Sequence, residues 1–139
     1  MRRTESESHR LVCLLAAAIY VESAKENHGN RGNVRNMEAI AAVILNRARL
    51  EAENGAGGNL LERLCEEQIR EARLSSNTQR DERLFRAALR IARRALAGVL
   101  EDPTEGATRF HAEDAFPVWA QGRTPAAAFG HHLYYREDA

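Results

Sequence analysis

The first apolar stretch of the chain carries a carboxylate where a helix would bury its side chains. Leu11, Leu15, Ala18 and Ile19 recur at helical spacing, which predicts a helix with one face in a core. Four residues after Ala18, the same face reaches Glu22. Burying an unpaired carboxylate is costly, so this position calls for a reason. Either Glu22 pairs with an arginine, or it is a general acid in an apolar cleft. The pattern alone leaves both explanations open.

Length and composition predict one globular domain covering residues 1–139. Hydrophobic residues make up 44% of the chain and charged residues 29%. The formal net charge is zero, so binding to nucleic acid through overall charge is not expected. The apolar run from Leu11 to Val21 is too short to cross a bilayer, and two acidic residues precede it. Neither a transmembrane segment nor a signal peptide is therefore predicted.

The cysteines and histidines do not suggest a metal site. Cys13 and Cys65 are the only cysteines, and we expect both to stay unpaired because a core of this size needs no disulfide. His111, His131 and His132, with Glu113 or Asp114, could supply metal ligands, but the adjacent histidines on a strand point to opposite faces. The chain contains no His-x-x-x-His or Cys-x-x-Cys spacing. No metal and no cofactor is predicted.

Further helices are predicted after a polar loop at Asn27–Asn36. One runs from Met37 to about Leu50, and another from Glu82 to Leu100 with Asp81 as its N-cap. The segment Leu60–Arg73 could form one or two short helical turns. The arginine-rich outer face of the last helix is interpreted as solvated, the alternative being an interaction surface for nucleic acid.

The last third of the chain predicts strands and a candidate site. Thr108–His111 and His131–Tyr135 alternate side chains as strands do, and we expect them to pair as an antiparallel hairpin. The long connection between them contains Trp119 and is too irregular for a third strand. Sugar-binding clefts combine aromatic rings with polar groups, so Glu22 and the two strands could share one cleft. The alternative for Trp119 and Tyr135 is core packing.

Five motifs resemble one known family. Ile19-Tyr-Val-Glu22-Ser-Ala-Lys-Glu26, followed by Ala41-Ala-Val-Ile-Leu-Asn46-Arg47, is similar to the start of the spore-cortex-lytic and cell-wall-hydrolase family. Its closing motifs are similar, in the same order, to Asp102-Pro-Thr-Glu-Gly-Ala-Thr108-Arg-Phe-His111-Ala, Pro117-Val-Trp119-Ala and Phe129-Gly130-His-His132-Leu-Tyr-Tyr135-Arg. Where the family has Gln-Phe-Ser, this chain offers at most Gln68-Ile-Arg.

The resemblance implies a fold, an activity and a set of site residues. The fold is α+β and mainly α, a lysozyme-like helical domain with a short antiparallel β-hairpin near the C-terminus. The activity is cleavage of the β-1,4 bond between N-acetylmuramic acid and N-acetylglucosamine in the glycan strands of peptidoglycan, with Glu22 as the catalytic acid. Residues expected to bind the substrate or orient the acid are Thr108, His111, Trp119, His132 and Tyr135.

One conspicuous carboxylate favours a lytic transglycosylase over a hydrolase, which needs a second carboxylate. Glu26 lies one turn beyond Glu22 but has no assigned role. Two alternatives stay open: a water-dependent muramidase and a non-catalytic peptidoglycan-binding module. The enzyme is expected to act on the bacterial wall, in the periplasm or outside the cell. A delivery partner or a phage-like particle could bring it there.

Overall fold

The computed structural model describes residues 5–23, 33–75 and 81–137, and these ranges contain four helices followed by a small sheet. The helices are α1 (Glu5–Ser23), α2 (Asn33–Glu53), α3 (Leu60–Ser75) and α4 (Glu82–Leu96). The strands are β1 (Arg109–Ala112), β2 (Ala127–Phe129) and β3 (His132–Tyr135), and a 3-10 turn at Val118–Ala120 lies between β1 and β2. The predicted class, α+β and mainly α, is confirmed. Within the described ranges, no helix is long and apolar enough to span a membrane.

Helix α1 is the element on which the other helices pack. It contacts α3 and α4 extensively and α2 to a lesser extent. Leu15, Ala18 and Ile19 are fully buried, as the helical spacing of the apolar residues predicted. Glu22 continues the same face near the C-terminal end of α1, and only 6% of its surface is exposed. The unusual burial of this carboxylate, inferred from the sequence, is confirmed.

Helix α2 begins four residues earlier than predicted, at Asn33 instead of Met37. Asn36 therefore lies in the first turn of a helix rather than in a loop, and it is fully buried. Residues on several sides of α2 are buried as well, including Met37, Ile40 and Val43. Helix α2 is therefore a central helix, buried on more than one side. A buried amide at a helix start needs partners from elsewhere in the fold, and Asn36 finds them in the sheet.

The limits of α3 and α4 also differ from the prediction. Leu60–Ser75 is one continuous helix instead of one or two short turns. Helix α4 starts at the predicted cap, where the Asp81 carboxylate accepts a hydrogen bond from the Leu84 amide. It ends at Leu96, four residues early, because Gly98 adopts a φ of 77° that favours glycine. Val99, which lay inside the predicted helix, falls beyond its actual end and is 67% exposed.

The sheet has three antiparallel strands in the order β1-β3-β2. The predicted pairing of the two aromatic runs is confirmed, with Arg109 opposite Tyr135 and Ala112 opposite His132. The prediction that the connection contains no third strand is wrong, because β2 pairs with the other edge of β3. Two of the three residues of β2, Ala127 and Ala128, have little intrinsic strand preference. A two-residue turn at Gly130, with a φ of 56°, instead folds β2 back onto β3.

Candidate active site

A cavity of about 480 Å³ lies between α1, α2, α3 and β1. Its size is within the range of pockets that hold small ligands. The side chains that could contact a ligand there include Glu22, Arg47, Gln68, Thr108, His111 and Trp119. Four of the six predicted site residues therefore line the same cavity, although the sequence separates α1 from β1 by more than 80 residues.

The carboxyl group of Glu22 forms one wall of the cavity and is held from two sides. The Gln68 side chain donates a hydrogen bond of 2.6 Å from Nε2 to Glu22 Oε2. On the other side, His132 Nε2 lies 3.6 Å from Glu22 Oε1. Burial disfavours a charged carboxylate, whereas hydrogen bonds and nearby cations favour it. These contacts orient the carboxyl group at the cavity wall.

His111, Tyr135 and Trp119 form an aromatic cluster at one side of the cavity. The rings of His111 and Tyr135 stack at 5.2 Å, and Trp119 meets both of them edge-on. His111 Nδ1 lies 2.7 Å from the Ala112 carbonyl oxygen, which can only accept, so the ring proton is on Nδ1. The Tyr135 hydroxyl then donates to His111 Nε2 at 2.9 Å. The guanidinium of Arg109 lies 5.3 Å from the centre of the Trp119 ring, completing a rigid wall.

Thr108 places an unsatisfied hydroxyl at the cavity. Its Oγ1 is buried and has no hydrogen-bond partner among the described residues, although Thr108 lines the cavity. A buried polar atom without a partner is costly, so such an atom is commonly found where a ligand completes its hydrogen bonding. The hydroxyl of Ser23, the residue after Glu22, is also buried and has no hydrogen-bond partner among the described residues.

His132 and Tyr135 lie behind the cavity wall instead of lining it. His132 contacts Glu22, and Tyr135 contacts His111, so each touches a residue that does line the cavity. His131, the neighbour of His132, points away and pairs with exposed Glu113 at 2.8 Å. His131 lies in the turn before β3, whereas His132 is the first residue of the strand, and the two side chains point in different directions. The described residues contain no cluster of His, Cys, Asp or Glu that could hold a metal.

Several residues of the site were not assigned to it from the sequence. Gln68 had only the weak Gln-Ile-Arg match, and its distance from Glu22 along the chain gave no hint of the hydrogen bond. Glu67 and Glu71 also line the cavity from α3. They are visible in the sequence only as acidic residues on a charge-rich helix. Glu26 lies outside the described residues.

A turn centred on Asp102 positions the start of β1. The Asp102 carboxylate accepts hydrogen bonds from the Thr104 amide and hydroxyl, from the Gly106 amide and from the Asn46 side chain on α2. The Asn46 amide also donates to the Ala107 carbonyl, the residue before Thr108. Burial alone would raise the pKa of Asp102, but these hydrogen bonds outweigh it and hold the pKa below its usual value.

Comparison with known proteins adds one finding. A family model described as Cell Wall Hydrolase matches residues 32–135, which contain α2, α3, α4 and the sheet. The match begins ten residues after Glu22, so it does not bear on that residue directly. No curated protein and no solved structure matches the chain.

Proposed function

Since the chain belongs to the cell wall hydrolase family, we propose that it cleaves the β-1,4 bond between N-acetylmuramic acid and N-acetylglucosamine in peptidoglycan, with Glu22 as the proton donor. The observation that carries this proposal is the buried carboxyl group of Glu22 at the wall of a 480 Å³ cavity. A carboxyl group in a desolvated cleft keeps its proton at higher pH than one in water, as a general acid requires.

The surrounding groups fit a sugar substrate. Trp119 offers an aromatic ring on which a sugar could stack. The unsatisfied hydroxyl of Thr108 would pair with a polar group of the substrate. His111 lines the cavity, and Tyr135 fixes the His111 ring from behind. His132 would orient the acid rather than the sugar, because it contacts Glu22.

The reaction we propose is that of a lytic transglycosylase. Glu22 gives its proton to the glycosidic oxygen, the bond from that oxygen to C1 of the muramic residue breaks, and N-acetylglucosamine leaves with a free hydroxyl. The 6-hydroxyl of the muramic residue then attacks C1, and its proton passes to the Glu22 carboxylate. The product is a 1,6-anhydro sugar, the acid is regenerated, and no water is consumed. Gln68 and His132 would stabilise the carboxylate between the two steps.

A water-dependent muramidase is the second candidate, and Glu67 and Glu71 favour it because both line the cavity. Either could act as the second carboxylate that hydrolysis needs. Both residues are exposed, however, whereas Glu22 is buried, so only Glu22 has the desolvation expected of the acid. In a third alternative, a non-catalytic module would bind glycan strands through the same cavity. A delivery partner or a phage-like particle bringing the protein to the wall stays part of the proposal.

The test compares Glu22→Gln with wild type on purified peptidoglycan. Glutamine keeps the size of the side chain but removes the transferable proton, so activity should fall by about 10²- to 10⁴-fold. The melting temperature should be unchanged or slightly higher, because a buried acid is gone. Glu67→Gln and Glu71→Gln serve as matched controls and should retain activity. A folded Glu22→Gln protein that still clears peptidoglycan would contradict the assignment.

Mass spectrometry of the released muropeptides distinguishes the reactions. A lytic transglycosylase yields anhydro ends, which are lighter by one water than the reducing ends from a muramidase. Reducing ends, together with loss of activity in Glu67→Gln or Glu71→Gln, would establish the muramidase instead. Binding to the wall without any released product would establish the non-catalytic module.

A further inference from the structure

We propose that Asn36, held by Tyr134, is a positioning residue that keeps the proton of His132 on Nε2, the ring nitrogen facing Glu22. The catalytic role of this proton position rests on the proposed function, because it requires Glu22 to be the acid. The proton position itself follows from the contacts of Asn36, which no motif in the sequence pointed to.

The three side chains form a buried chain of contacts that ends at Glu22. His132 and Tyr134 are two residues apart on β3 and so share a face, which meets the first turn of α2. The Tyr134 hydroxyl donates to Asn36 Oδ1 at 2.5 Å, and Asn36 Nδ2 lies 3.1 Å from His132 Nδ1. Asn36 and Tyr134 are fully buried, and His132 is nearly so.

The hydrogen-bonding capacities of these groups determine where the proton is. The Tyr134 hydroxyl lies 2.5 Å from the nearer polar side-chain atom of Asn36, a distance that suits an O–H···O hydrogen bond and is too short for N–H···O, so this atom is the amide oxygen and the hydroxyl donates to it. With Oδ1 accepting from Tyr134, the amide nitrogen of Asn36 faces the imidazole. That nitrogen can only donate, so His132 Nδ1 must be the unprotonated acceptor. A neutral His132 therefore carries its hydrogen on Nε2, which lies 3.6 Å from Glu22 Oε1.

Aromatic packing keeps the imidazole ring in this orientation. Phe110 on β1 meets the His132 ring edge-on at 5.1 Å and stacks on Tyr134 at 5.5 Å. Rotating the His132 ring would disturb its contact with Phe110 as well as the hydrogen bond to Asn36. The position of the proton is thus coupled to packing between α2, β1 and β3.

The opposite arrangement would work against a general acid. If the Asn36 amide were reversed, its oxygen would accept from His132 Nδ1, and Nε2 would face Glu22 as a bare acceptor. Imidazole is more basic than a carboxylate, so it would remove the proton that Glu22 must give to the glycosidic oxygen. With a hydrogen on Nε2, His132 leaves the acid its proton and stabilises the carboxylate once that proton has left.

Nitrogen-15 NMR of the imidazole rings in the full chain tests the proposal directly. Long-range proton–nitrogen correlation shows which ring nitrogen carries the hydrogen, and His132→Gln identifies the signals of His132 by their loss. At neutral pH we expect neutral His132 with hydrogen on Nε2. Hydrogen on Nδ1, or on both nitrogens, would overturn the proposal whatever the activity. The wild-type spectrum decides this point even if a variant fails to fold.

Asn36→Asp tests the role of the amide, with exposed Asn54→Asp, just after the end of α2, as a control for the added charge. A carboxylate beside Nδ1 accepts a hydrogen bond, so His132 should become protonated on Nδ1 and kcat should fall about tenfold, with KM little changed. Unchanged ring protonation and kcat in Asn36→Asp would overturn the proposal. An Nε2 hydrogen in wild type together with a fully active Glu22→Gln would refute the proposed function while leaving the proton assignment standing.

Discussion

At the scale of single residues, buried polar side chains carry most of the functional information. Burying a polar group is costly unless its hydrogen bonds are satisfied, so each such position requires a physical reason. The buried polar residues that lie at or behind the cavity are Glu22, Asn36, Thr108, His111 and His132. Thr104 is buried for a different reason, because its hydroxyl donates a hydrogen bond to Asp102 and so stabilises that turn.

The two cysteines should differ sharply in reactivity. Both are free in the structure, as predicted, but Cys13 is half-buried while Cys65 is fully buried. Burial, with smaller contributions from Glu66 and Glu62, raises the pKa of the Cys65 thiol to about 12. Because only the thiolate reacts, titration of the native protein at neutral pH should modify Cys13 alone.

Denaturation without reductant should then release both thiols. Cys13→Ser should leave the native protein without a rapidly reacting thiol, which serves as the control. Two fast thiols in native wild type, or none after denaturation, would contradict this picture of the cysteines.

At the scale of elements, the turn at residues 102–107 fastens the sheet to α2. Asp102 accepts from both its own turn and Asn46, so the start of β1, and with it Thr108, is held against the helix. Asp102→Asn should lower the free energy of unfolding at neutral pH by about 1 kcal/mol, since an amide nitrogen cannot accept these bonds. We expect a small change in the free energy of unfolding for the loss of these hydrogen bonds, because Asp102 is exposed and water screens its charge. Chemical denaturation measures the change, with exposed Asp114→Asn as the control.

The same carboxylate makes a defined contribution to acid sensitivity. The folded-state pKa of Asp102 is lowered, so its contribution is complete above the unfolded pKa of about 4. It is lost as the pH falls through the folded-state pKa. The stability difference between wild type and Asp102→Asn should therefore shrink on acidification below about pH 4. A difference that stayed constant down to low pH would show that Asp102 acts without its charge.

At the scale of the whole molecule, α1 is the common partner of the other helices. Leu15 is fully buried in the core that they share. Leu15→Ala should lower the free energy of unfolding by about 2–5 kcal/mol, because it leaves a cavity that the surrounding helices cannot fill. Denaturant unfolding gives this value, and Val99→Ala is the control because Val99 is 67% exposed. Equal effects of the two substitutions would mean that α1 is not the centre of the fold.

The sequence by itself determined the features that depend on local periodicity. The apolar stripe of α1 predicted both the helix and the burial of Glu22, because residues three and four apart share a helix face. Likewise, alternation within the two aromatic runs predicted β1 and β3 and their pairing. The cap at Asp81 follows from the identity of one residue and its neighbours.

The tertiary structure alone decided the features that depend on partners far away in the chain. Asn36 has the polar character of a loop, yet its contacts with His132 and Tyr134, nearly 100 residues later, place it inside α2. Strand β2 forms because it can pair with the free edge of β3. Gln68 forms a hydrogen bond with Glu22 because α3 packs on α1. Periodicity describes which side of an element faces inwards. It does not say which groups meet there, because that depends on how the elements pack.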